Sequence, residues 1–153
     1  MELDKATKYL LDWFVRYTKN RDLVFKKISE VKEEGNKAIL MQKDGRNIHY
    51  YTVPFPDDLE KAAGAISEEH KGLIMYNTRE NFEKLIKAWK KLAETKNLTI
   101  YLVNPFSKLE KKWIINPHIH NAISDSASLK QGLESMYMMV EPTTKEEVEK
   151  LTK

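Results

Sequence analysis

The chain has 153 residues, 41% hydrophobic and 32% charged, which suits one domain with a core and excludes wholesale disorder. It has no cysteine, so disulfides, thiolate metal sites and a cysteine nucleophile are excluded, as fits a reducing cytoplasm. Its 26 basic and 23 acidic residues leave a mild net charge of +3, and arginine is confined to Arg16, Arg21, Arg46 and Arg79, which argues against a dedicated reader of DNA sequence.

The first five residues lack the basic-then-apolar pattern of a signal peptide, and no apolar run approaches the roughly 20 residues that span a bilayer. The expectation is a cytoplasmic protein without membrane attachment. Residues 3–17 predict a helix with Leu3, Ala6, Leu10, Trp13, Phe14 and Tyr17 on its core-facing stripe. Lys19, Asn20, Arg21 and Asp22 read as a polar connection. Residues 22–54 then predict a three-stranded antiparallel meander. Its first strand, 23–33, is expected to carry a bulge between Val24 and Val31. Ala38, Ile39, Leu40 and Met41 are apolar on both faces, as in an inner strand. Asp44 and Gly45 form the next hairpin turn, and Pro54 and Pro56 end the third strand by removing ladder donors.

A short helix is expected over residues 57–66, with Asp57 near its cap. Residues 72–105 carry the clearest pattern in the chain, strand–helix–strand. Phe82, Leu85, Ile86, Trp89, Leu92 and Ala93 recur at helical spacing, between apolar runs at 73–76 and 98–103. A crossover of that length makes the two strands parallel and the connection right-handed. The first strand-to-helix turn has no glycine, so a pyrophosphate site there is not expected. Trp113, Ile114 and Ile115 predict a further strand. Ser124 or Asp125 caps a helix whose inner stripe is Leu129, Leu133, Met136, Tyr137 and Val140. Thr144 and Glu147 form a capping box for a short charged tail helix. The expected fold is a single α/β domain with a mixed central sheet, an antiparallel meander followed by a parallel βαβ unit, and helices on both faces. Residues 1–105 form the core, 106–142 a C-terminal strand and helix, and 143–153 the tail.

The order helix, three-stranded meander, helix, strand, helix, strand over residues 3–105 resembles the core of the restriction-endonuclease-like superfamily. That resemblance implies an acidic residue on the second meander strand and a (D/E)xK triplet on the third. The carboxylates would hold Mg²⁺, and the lysine would assist the attacking water. The third strand here, residues 47–53, has neither acid nor lysine. The resemblance therefore implies an inactive relative that needs no cofactor. A literal match lies elsewhere, in Asp57 followed by Glu69, His70 and Lys71, and gives the alternative of a Mg²⁺-dependent nuclease using Asp57, Glu69 and Lys71. The same residues also read as an ordinary helix start and a solvated loop.

Two other groups stand out. His118 and His120, on an extended segment, would point the same way and with Asp125 offer a His-x-His…Asp set for a transition metal. Lys108, Lys111 and Lys112, beside Phe106 and Trp113, form a basic and aromatic cluster suited to phosphates and stacked bases. Further basic clusters occur at Arg16, Lys19 and Arg21 and along the central helix, where glutamates dilute them. The run 136–140 is apolar right round the helix, which suggests core together with a homodimer contact. The leading functional expectation is a non-catalytic, nuclease-like domain that binds nucleic acid or a protein partner. The alternatives are the nuclease and a homo-oligomeric interaction protein.

Overall fold

A computed structural model describes residues 3–108, 112–123 and 125–153. Helix α1 (Lys5–Phe25) is followed by strands β1 (Ile28–Glu34), β2 (Lys37–Gln42) and β3 (Asn47–Thr52), then α2 (Leu59–Gly64), β4 (Lys71–Tyr76), α3 (Arg79–Glu94), β5 (Leu98–Val103) and β6 (Lys112–Ile115). Helices α4 (Pro117–Ile123), α5 (Ser126–Met139) and α6 (Lys145–Leu151) complete the chain. The strands form one six-stranded sheet in sequence order. Strands β1, β2 and β3 are the antiparallel meander, β3, β4 and β5 run parallel, and β6 returns antiparallel on β5.

The sheet has a core on each face. Helix α1 covers one face with Leu10, Leu11, Phe14 and Val15, which pack against Ala38, Leu40, Tyr50, Ile74, Tyr76, Tyr101 and Val103, joined by Val148 of α6. Helices α2, α3 and α5 cover the other, where Leu59, Phe82, Leu85, Trp89, Leu92, Leu133 and Tyr137 meet Leu73, Met75, Ile100 and Leu102. Strands β4 and β5 are buried almost throughout, as befits parallel strands covered on both sides. The tail helix is therefore anchored by one fully buried side chain, Val148.

Helix α1 runs past the polar stretch at 19–22, and β1 starts only at Ile28. No glycine or proline interrupts the segment, and Thr18 continues the buried face. The helix ends where Lys26 adopts a left-handed conformation, φ 53°. The Asp22 carboxylate accepts from the amides of Lys27 and Ile28 at 2.7 and 3.1 Å, which turns the chain into the sheet. The expected bulge lies at Ser29, between the pairs Ile28–Gln42 and Glu30–Met41. The buried face of α1 is also rotated from the expected stripe. Thr7, Leu11 and Val15 are inside, while Trp13 and Tyr17 are half-buried at its edge.

The central unit forms as its pattern predicts. The Thr78 hydroxyl caps α3 by accepting from the Asn81 amide at 3.1 Å, and Asn97 takes the left-handed turn into β5 with φ 61°. Gly45 supplies the positive φ of 93° in the β2–β3 hairpin. Asp58, one residue after the expected cap, accepts from the Lys61 amide at the start of α2. Helix α4 replaces the expected extended segment around His118. Asn116 accepts from the Ile119 amide and Pro117 stands at the first helical position, where its missing N–H costs nothing.

Candidate functional site

The literal nuclease triplet does not come together. Asp57 is exposed beyond the end of β3, beside the α2 cap. Lys71 opens β4 opposite His49, near the beginning of β3, and donates to the Ile66 carbonyl at 2.7 Å. Glu69 is exposed in the loop before it. Most of β3 and the whole of α2 separate the aspartate from the other two. The meander positions give a second test of Mg²⁺ chemistry. Toward α1, β2 and β3 present Ala38, Leu40, Tyr50 and Thr52, all buried. Among the described residues no three His, Asp or Glu side chains are grouped to hold a metal. The described residues do not fit the ion that the resemblance implies.

The opposite face of the meander holds a compact polar group that the sequence did not announce. The Tyr51 hydroxyl donates to Glu68 Oε1 at 2.7 Å. The Lys37 ammonium and His49 Nδ1 each lie 3.5 Å from the same oxygen. Lys37 stands directly opposite Tyr51 in the β2–β3 ladder, and His49 is two residues before it on the same face. The Tyr51 hydrogen bond, with His49 and Lys37 alongside, holds the Glu68 carboxyl below its ordinary pKa. Burial and the neighbouring carboxylate push the Tyr51 phenol up. A protonated tyrosine on an ionised glutamate is a tether for the 65–70 loop, not an activated nucleophile.

The histidine set also disperses. On a helix, residues two apart diverge, so His118 and His120 part company. His118 Nδ1 lies 2.9 Å from the Ala93 carbonyl, the His120 ring packs edge-on to Trp89, and Asp125 caps α5 through the Ala127 amide. Each has a packing or capping role.

The C-terminal lysine cluster is redistributed. Trp113 is 2% exposed and packs against Phe82 in the core, so it offers no face to a stacked base. Lys108 is exposed, and Lys111 lies outside the described residues. Lys112 starts β6 and sets its ammonium over the Tyr17 ring, 4.5 Å from the centroid. That contact joins the lysine to the basic cluster on α1. Trp13, Arg16, Tyr17, Asn20 and Arg21 follow the i, i+3, i+4, i+7, i+8 rule and share one helix face. With Asn104, Pro105, Ser107 and Lys112 they line a groove of about 600 Å³. Trp13 and Tyr17 stack with planes 2° apart and centroids 5.3 Å apart. Arg21 Nη1 is 3.5 Å from the Tyr17 hydroxyl and its guanidinium lies over Phe25.

Among the described residues, the charged side chains lining this groove have one sign: Arg16, Arg21 and Lys112 line it without a carboxylate, and none of the three is in an ion pair. Among the described residues, Glu141 touches the lining, accepting from the Ser107 hydroxyl at 2.7 Å. A larger recess of about 740 Å³ beyond the end of β3 differs in kind. It mixes Asp4, Asp57 and Glu149 with Lys5, Lys145 and Lys153, so its charges cancel locally. The usual ligand crevice of parallel sheets, outside the strands' carboxyl ends, is filled by the chain itself. Asn77 donates to the Tyr137 and Val140 carbonyls at 3.2 and 3.1 Å, and its own carbonyl accepts from the Thr143 amide at 3.0 Å.

Sequence reasoning had both basic clusters and set Trp113, which is buried, beside the second, but missed that Trp13 lines the groove with them. The signal was available in the spacing of 13, 16, 17, 20 and 21, once the helix is allowed to continue through Arg21. Compared with models of known protein families, with curated proteins and with solved structures, the chain matches none.

Proposed function

We propose that this chain is a nucleic-acid-binding α/β domain of restriction-endonuclease-like topology that works by binding and carries no nuclease chemistry. One observation carries the binding half. Two basic clusters far apart in sequence, on α1 and at the start of β6, meet in a groove whose described lining holds aromatic rings and no carboxylate. Guanidinium and ammonium groups neutralise phosphates and release counterions, and rings in the same recess give bases something to lie on. The kinship half leans on the chain order α1, meander, α2, β4, α3, β5, which is the order of the resembled core. The non-catalytic half leans on residues 47–53, where the third meander strand carries neither acid nor lysine.

Fluorescence anisotropy of a labelled oligonucleotide against salt tests the reading. About three phosphate contacts give a slope near −2 in log affinity against log salt for a single strand. The double substitution Arg16→Glu and Arg21→Glu is expected to remove about two of those contacts and flatten the slope to about −0.7. Affinity indifferent to salt, or unchanged by the double variant, would contradict it. Incubation with Mg²⁺ or Mn²⁺ is expected to leave the oligonucleotide intact; cleavage that Glu69→Ala abolishes would restore the nuclease alternative.

A further inference from the structure

We infer that the α1–β6 groove takes an unpaired nucleotide, its base stacked on Trp13 and its flanking phosphates on Arg16, Arg21 and Lys112, so that the chain prefers single strands to duplex. This rests on the reading of the groove as a nucleic-acid site and adds which form of nucleic acid enters it.

The rings decide the form. Trp13 and Tyr17 are held parallel, 2° apart, by helical spacing and by Lys112 lying over Tyr17. Tyr17 is fixed further by its edge contact with Tyr101, 6.4 Å between centroids. Among the described residues Tyr17 is the only ring recorded against Trp13, and Trp13 is half-buried in the groove wall. The indole therefore has an ordered support in Tyr17 and stands half-exposed in the wall of the recess, as a stacking platform requires. A duplex offers phosphates on its outside and base edges in its grooves, but no base face. Its rigid backbone would meet the three cations and leave the indole idle. An unpaired base has a free face, and its strand bends enough to bring adjacent phosphates onto cations on either side. Asn20, exposed one helical turn beyond Arg16, adds an amide that donates to and accepts from base edges of any kind. Among the described lining residues none selects one base, so the preference is for strandedness, not sequence.

The chain contains its own reporter. Of its three tryptophans, Trp89 and Trp113 are 7% and 2% exposed, which leaves Trp13 as the one a base can quench. The experiment titrates the full chain at low salt with a 12-nucleotide oligo-dT and with a 12-base-pair duplex, reading tryptophan fluorescence and anisotropy together. Oligo-dT is expected to quench and to bind more tightly than the duplex, which is expected not to quench. Trp13→Leu is expected to abolish the quench and weaken oligo-dT binding about 5- to 100-fold while leaving duplex binding within about twofold. Trp13→Phe keeps a ring and is expected to retain most of the affinity, which separates stacking from any loss of fold. Equal binding of both forms without quenching by wild type overturns the single-strand preference alone. Binding of neither form overturns the groove reading along with it.

Discussion

Asn77 has no solvent exposure, and its side-chain amide serves two carbonyls at the end of α5. Removing it strands both acceptors in the interior. Asn77→Ala is expected to cost about 2–4 kcal/mol in urea unfolding, more than a surface polar deletion. Glu68 gives a pH signature. Its pKa is lowered in the folded state, chiefly by the Tyr51 hydroxyl, so its stabilising contribution is complete above the unfolded value of about 4.3 and lost as pH falls through the folded one. Glu68→Gln is expected to lower stability by about 1 kcal/mol at pH 7 and to shrink that difference toward zero near pH 3. An equal loss at both pH values would show that the carboxylate charge is not what Tyr51, Lys37 and His49 hold. Gly72 faces the Tyr50 ring so closely that an added Cβ would collide with it, with the Thr99 carbonyl 3.0 Å away. Gly72→Ala is expected to destabilise by about 1–3 kcal/mol. Sequence assigned none of these residues its role, Asn77 reading only as an alternative to Thr78 for the α3 cap, because each role comes from partners that only the folded chain supplies.

At the scale of elements, legibility followed the strength of the local pattern. Helix α3 and its two strands were readable because six apolar residues at helical spacing sit between two continuous apolar runs. Leu85 lies fully buried at the middle of that stripe, and Leu85→Ala is expected to cost about 2–5 kcal/mol. Helix α1 was readable at its start but not in its extent. Lys19, Asn20, Arg21 and Asp22 look like a loop by composition, yet the Asp22 carboxylate closes the helix three residues after it. Helix α4 was not readable at all, since Asn116 and Pro117 signal a turn and a helix start equally well. The apolar run in α5 divides. Tyr137 and Val140 are in the core, while Met138 and Met139 are exposed by 62% and 63%.

At the scale of the whole molecule, the mixed sheet and its two helical layers agree with the sequence pattern, and no described helix is long and apolar enough to cross a membrane. The groove was half legible. Both basic clusters could be seen in the sequence, but their meeting depends on β6 lying beside α1, which no local pattern encodes. The aromatic partner followed the same logic. Trp113, adjacent in sequence, is buried, and Trp13, distant in sequence, lines the groove. Whether this surface is where nucleic acid lands is answered most directly by amide chemical-shift mapping of the full chain with oligo-dT. The account predicts shifts concentrated at Trp13, Arg16, Asn20, Arg21, Asn104 and Lys112, with Asp57, Glu69 and Lys71 unmoved. Shifts centred on those last three, or none at all, would contradict it.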